Sequence, residues 1–227
     1  ISAVLILIWL LIAFSKMRLP AEATASAGGS PIKARGGVIG RLWANRHYRY
    51  GVIAQFFNVG GQTCVWTFTV IYAQDVVGTT PGAAGWWLQA SLIIFLISRF
   101  VMTALLAFFR PAKLLLVMAV FAVICCVTSM FVLNVIGLIA VVAISAGLSL
   151  MFPTIYGVAL NGLGEDTKFG SAGLVMAILG GALLPLVHAA VMDFSTTAMG
   201  YVVPGVCLAV VALYAIFDLR NPQAHPV

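Results

Sequence analysis

Gln55, Asn58, Gln62, Trp66 and Thr69 follow one another at steps of three, four, four and three within an otherwise apolar stretch. On a helix that spacing puts all five on one face. Amides both donate and accept hydrogen bonds, and an indole offers a broad flat π surface. Together they suit a polyhydroxylated ligand: hydroxyls meet the amides, and the apolar face of a pyranose ring stacks on the tryptophan. Amides are costly in an apolar medium unless something satisfies them. Two arrangements do so, a water-filled cavity or hydrogen bonds that glue neighbouring helices together.

Gln89 and Arg99 add polar groups to the next apolar stretch. An arginine near a bilayer centre costs roughly 2.5–3.5 kcal/mol even on the mild insertion scale, so it should face a cavity or a partner. The acidic residues are Glu22, Asp75, Glu165, Asp166, Asp193 and Asp218, all in loops or at the ends of apolar runs. No carboxylate within a run is therefore available to Arg99. Either it meets carbonyls and ligand, or its partner lies on a preceding bundle, or it plays a purely structural part.

Ser145, Ser149, Phe152 and Tyr156 share another face at steps of four, three and four, with Pro153 loosening the helix beside them. Core packing accounts for that face nearly as well as ligand contact. Gly173, Ala177 and Gly181, four apart, form a small-residue edge for close helix packing. His188 stands alone and reads first as a structural residue. Cys64, Cys125, Cys126 and Cys207 all lie in apolar runs without metal-ligand spacing and read as packing residues. The runs hold no acid, one histidine and no HExxH- or GxSxG-like arrangement, so an enzyme, a metal centre and a bound cofactor are not expected.

These side chains need elements to carry them. The chain is 63% hydrophobic and 8% charged, with a mean hydropathy of +1.11. Soluble domains carry roughly 25% charged residues, so this chain cannot cover a water-facing surface and should use a bilayer as solvent. Six apolar runs, about Tyr48–Ala73, Trp86–Phe109, Leu114–Leu133, Val135–Leu160, Phe169–Met192 and Tyr201–Phe217, are read as membrane helices. An earlier run, Ile1–Phe14, is shorter than the ~20 residues needed to span hydrocarbon and reads as the end of a preceding helix.

Eleven of the twelve Lys and Arg residues fall in every second gap between runs; the twelfth is Arg99. Basic residues in short loops stay in the cytoplasm, so the first loop and the C-terminus are expected there. The net charge of +6 is spread over separate loops without interleaved aromatics, which argues against nucleic acid and for the anionic inner leaflet. Ser15 to His47 contains PAEATASAGGSP followed by GRLWANRHYR, a flexible linker with a short surface helix expected near Trp43.

The stretch MFPTIYGVALNGLGEDTKFGSAGLVMAILGGALLPL, with SRFVMTALLAFFRPAKLLL and FFNVGGQTCVW, resembles the fucose, galactose and glucose proton symporters of the major facilitator superfamily. The likeness runs from about Tyr48 to Asp218 in the same order. It implies an all-α membrane protein, the six-transmembrane-helix C-terminal bundle of a major facilitator fold plus the end of the preceding helix. Residues 1–14 would be that end, 15–47 a cytoplasmic inter-bundle linker, 48–220 the bundle and 221–227 a cytoplasmic tail.

The resemblance also implies a sugar site between two bundles near the bilayer midplane, where the Arg of the RF motif matches Arg99 and an amide and aromatic match Gln62 and Trp66. The expected substrate-binding set is thus Gln55, Asn58, Gln62, Trp66, Gln89, Arg99, Ser149 and Tyr156. The expected activity is proton-coupled, alternating-access transport of a hexose-type sugar such as L-fucose, glucose or galactose across a bacterial inner membrane. A facilitator or exporter of another polar solute is the alternative. Expected partners are the sugar, the proton, the lipid bilayer and an N-terminal six-helix bundle, which in this family holds the proton-coupling carboxylates. Ser98, Met102 and His188 depart from the family's usual residues and leave the sugar open.

Overall fold

A computed structural model describes residues 35–221. The expected helix end at 1–14, the linker up to residue 34 and the tail from 222 lie outside the described residues. Contacts divide the chain into units 1–36 and 37–227, and the helix packing belongs to the second.

The helices are α1 (Arg35–Ala44), α2 (Arg46–Asp75), α3 (Pro81–Leu106), α4 (Pro111–Phe131), α5 (Val135–Leu160), α6 (Thr167–Met176), α7 (Gly180–Phe194) and α8 (Val202–Arg220). Capping chemistry starts several of them outside the apolar runs. The Asn45 side chain accepts from the backbone N–H of His47 at 3.0 Å and of Tyr48 at 3.3 Å, so α2 begins before the run does. Thr80 caps α3 with Pro81 in its first turn, and Asn134 caps α5 at 2.8 Å from the Ile136 nitrogen. Short connections reverse the chain between consecutive long helices, and α2 with α3 and α4 with α5 pack as antiparallel neighbours.

The segments Pro81–Leu106, Pro111–Phe131, Val135–Leu160, Gly164–Phe194 and Met199–Arg220 are long and apolar enough to cross a membrane. Helix α2 is not apolar enough by that measure, because its polar stripe dilutes it. Its 30 residues nevertheless reach about 45 Å at 1.5 Å per residue. The fifth of the six expected runs, Phe169–Met192, is not a uniform α-helix: α6 and α7 are joined through a 3₁₀ turn, Ala177–Leu179. Just past that turn Gly180, which is not one of the expected edge residues Gly173, Ala177 and Gly181, brings two backbones together. A Cβ on Gly180 would collide with the Phe56 carbonyl of α2, so only glycine permits that approach.

Helix α2 lies centrally, against α3, α5, α7 and α8, while α4 packs on α5 and α8. The core between them includes Tyr72, Leu115, Leu138, Ile144, Met151, Tyr201 and Leu208. All four cysteines are buried and free. The outside is apolar as well, with Ile97, Phe100, Val117, Ile124 and Leu186 exposed. A water-soluble protein would cover such a surface; this is a multi-pass membrane protein.

One end of the bundle gathers Arg41, Arg46, Arg49, Arg110, Lys113, Lys168 and Arg220. Helix α1 is fastened there. Leu42 is buried with Tyr48, Ala159 and Leu174, and Tyr48 Oη donates to the Gly170 carbonyl at 3.1 Å. Arg41 Nε and Nη2 donate to the two carboxylate oxygens of Asp166 at 2.9 and 2.8 Å. His47 Nε2 stands 2.8 Å from the Asn221 carbonyl and 3.7 Å from Asp218. At the opposite end Thr197 Oγ1 donates to Asp75 Oδ2 at 2.8 Å.

Candidate functional site

The expected site residues ride on α2, α3 and α5, and one contact sets their depths. Trp66 of α2 meets Phe95 of α3 edge-to-face, 5.0 Å between centroids with planes at 88°. The two helices are antiparallel, so one turn back along α2 corresponds to one turn on along α3. That places Gln62 about level with Arg99. Helix α5 runs in the same direction as α3, and Trp66 Nε1 donates to Ser145 Oγ at 3.1 Å. One turn on, Ser149 falls at the depth of Gln62.

Around that level the groups differ in access. Gln62 and Trp66 are half-buried, and Arg99 is exposed with no ion-pair partner among the described residues. Its backbone carbonyl accepts from Thr103 Oγ1 at 2.7 Å. Ser149 is buried and donates to its own helix at the Ala146 carbonyl, 2.7 Å away. Tyr156 lies half-buried, about two turns nearer the basic end, its ring stacked at 6.2 Å on Phe152.

Gln55 and Asn58 stand apart. Both are fully buried, and none of their four amide atoms has a hydrogen-bond partner among the described residues. The stripe read from the sequence is thus one face in unlike environments: sealed at Gln55 and Asn58 and again at Thr69, half-open at Gln62 and Trp66 between them. Gln89 is exposed on α3, ten residues from Arg99. That is about 15 Å along the axis and 80° around it, so the two side chains do not converge. His188 is fully buried, flat against Phe68 and away from this level.

Ser91 and Phe95 were not among the expected residues. Ser91 is fully buried and shares a short hydrogen bond with Ser145, while Phe95 closes on the Trp66 ring. A serine inside an apolar run was the available signal for the first; nothing in the spacing marked the second. A cavity of about 510 Å³ opens at the basic end among α3, α4, α5 and α8, lined by Arg110, Thr154, Asn161 and Asp218 among others. None of the expected site residues lines it.

The arrangement offers a guanidinium and an amide at one depth, with a half-buried aromatic face one turn away. It can bind and orient a neutral polar solute, and it holds no nucleophile–base pair. No protein-family model matches the chain. It is 35% identical over 223 residues to an L-fucose-proton symporter of Escherichia coli, covering 96% of this chain and 50% of that protein. A Haemophilus influenzae L-fucose-proton symporter is 36% identical over 217 residues, covering 93% and 49%. A Brucella abortus glucose/galactose transporter is 32% identical over 184 residues, covering 80% and 45%.

Among solved structures, the major facilitator superfamily transporter FucP in its outward conformation superposes with a TM-score of 0.85 at 34% identity, covering 98% of this chain and 53% of that one. The chain spans about half the length of the curated relatives it matches. Those relatives are transporters, not enzymes. A bundle with this polar level on a lipid-type exterior, matched over nearly its whole length, belongs to the major facilitator superfamily, among the relatives of the L-fucose-proton symporters, and corresponds to the C-terminal half of that fold.

Proposed function

We propose that this chain is the C-terminal half of a proton-coupled hexose transporter, with Gln62, Trp66 and Arg99 forming its share of the sugar site. The observation that carries the reading is the common depth of Gln62 and Arg99, one turn from Trp66, with no ion-pair partner for the guanidinium among the described residues. Arg99 presents several N–H donors and no acceptor, a match for ring and hydroxyl oxygens. Gln62 supplies both kinds of group, and Trp66 the stacking face.

The second six-helix bundle, on this reading, covers that level, completes the site and supplies the proton-coupling acid. The two bundles rock about the site and expose it to each side in turn. Residues 15–47 link them, 48–220 form this bundle and 221–227 a tail. The basic end faces the cytoplasm of a bacterial inner membrane, because short loops retain Lys and Arg on that side. Gln55 and Asn58, sealed toward that end, are satisfied by water or sugar when neighbouring helices part. Ser149 and Tyr156 line the α5 side of the same path, and Gln89 its opposite reach.

Isothermal calorimetry on the complete transporter with L-fucose, glucose and galactose tests the assignment. One of these sugars is expected to bind, and Arg99→Ala is expected to abolish or strongly weaken that binding. Unchanged affinity would assign Arg99 to structure.

A further inference from the structure

Helical hydroxyls in this bundle mostly turn back on their own backbone. Thr63, Thr69, Thr103, Thr128 and Ser195 each donate to the carbonyl four residues earlier. Ser129 and Ser149 do so three residues earlier. This is the default for a hydroxyl in a helix, since the carbonyl is adjacent and needs no other element.

Ser91 and Ser145 depart from it. Both are fully buried, on different helices, and they bond each other across the α3–α5 interface. Ser145 also accepts the indole N–H of Trp66 from α2 at 3.1 Å. Phe95, one turn from Ser91, holds the same indole edge-to-face. One ring is therefore fixed by a polar tie on its nitrogen and an aromatic wall on its side, drawn from the three helices that carry the proposed site.

We infer that Ser145 and Ser91 are positioning residues that orient the Trp66 indole as a sugar-stacking face. The inference rests on the sugar-site reading above. It adds a specificity statement: an indole has a single donor, and here that donor is taken by Ser145. Trp66 thus offers ligand only its π surface. It favours a sugar with a broad apolar C–H face and contributes no hydrogen bond of its own. Ser145 acts by holding that plane, and Ser91 by fixing the Ser145 hydroxyl so that its lone pair meets the indole.

The test uses the complete transporter with every tryptophan except Trp66 replaced by phenylalanine, reconstituted in liposomes. Without sugar, Ser145→Ala is expected to shift the Trp66 emission maximum and lower its anisotropy. Ser145→Thr, which keeps the hydroxyl, is expected to restore both. Ser91→Ala should move emission in the same direction by less. In uptake assays on the transporter with its tryptophans intact, Ser145→Ala should raise the sugar KM about two- to tenfold, the range of one ordinary hydrogen bond, with Vmax unchanged.

In a Trp66→Phe background Ser145→Ala should add nothing further to KM. An unchanged sugar-free emission in Ser145→Ala would overturn the inference, as would a KM penalty that persists in full without the indole. If Trp66→Phe leaves KM untouched while Ser145→Ala still shifts emission, the sugar-site reading fails and the orientation of Trp66 by Ser145 stands.

Discussion

The imidazole of His188 lies flat on Phe68, with 4.1 Å between ring centroids and 7° between planes, and Tyr201 packs against it edge-on at 5.4 Å. Neither ring nitrogen has a hydrogen-bond partner among the described residues. The histidine therefore serves as an aromatic plate joining α7 to α2. His188→Phe keeps the plate and removes two unpartnered polar atoms, so thermal stability in detergent is expected to hold or rise. His188→Ala removes the plate and should cost about 3–5 kcal/mol, as large aromatic truncations do. Melting curves of the two variants check the pair, and a His188→Phe protein less stable than His188→Ala would contradict it.

Arg99 and Gln89 share a helix but not a face. Arg99→Ala is expected to raise the sugar dissociation constant at least about tenfold, the range for charge-assisted hydrogen bonds. Gln89→Ala should change it by no more than about threefold, within the range of one weak neutral bond. Arg99→Lys should not rescue, because an ammonium lacks the planar array of donors. Calorimetry on the three variants decides it, and a larger loss for Gln89→Ala would move the site along α3.

The close approach of α7 to α2 gives a stability prediction independent of transport. Gly180→Ala puts a methyl group against the Phe56 carbonyl, where backbone rather than a movable side chain is in the way. Overpacking of this kind costs about 1–3 kcal/mol. Gly82→Ala, at a glycine with open space around it, is expected to be neutral or slightly stabilising. Equal melting temperatures for the two would remove the packing argument.

The clip between Arg41 and Asp166 has a defined pH range. The Arg41 guanidinium beside it holds the Asp166 carboxyl below its ordinary value of 3.8. A lowered carboxylate pKa stabilises the docked form above the ordinary value and loses that contribution as pH falls through the lowered one. Hydrogen exchange of the α1 amides, corrected for intrinsic rates, should stay constant from pH 8 to about 5 and rise only below the ordinary value. Asp166→Asn should raise it at neutral pH. High salt should do the same more weakly, since the pair is exposed at the arginine.

Class, spans and basic end were legible in the sequence because they depend on quantities each residue carries alone: transfer cost and charge. The α5 boundaries Val135–Leu160 coincide with the apolar run. The faces were legible too, since a helical period converts spacing into angle. Spacing says nothing about what covers a face at each depth.

Tertiary structure divided one stripe into sealed parts at Gln55 and Asn58 and at Thr69, with a half-open part at Gln62 and Trp66 between them. It also tightened the helix expected at Phe169–Met192 into a 3₁₀ turn at Ala177–Leu179, beside which Gly180 lets α7 close on α2. And it drew Ser91 and Phe95 of α3 to an indole on α2. A residue's own chemistry sets which solvent and which helix face it prefers. Its neighbours across a helix interface are set by register and close approach, which exist only once the bundle has packed.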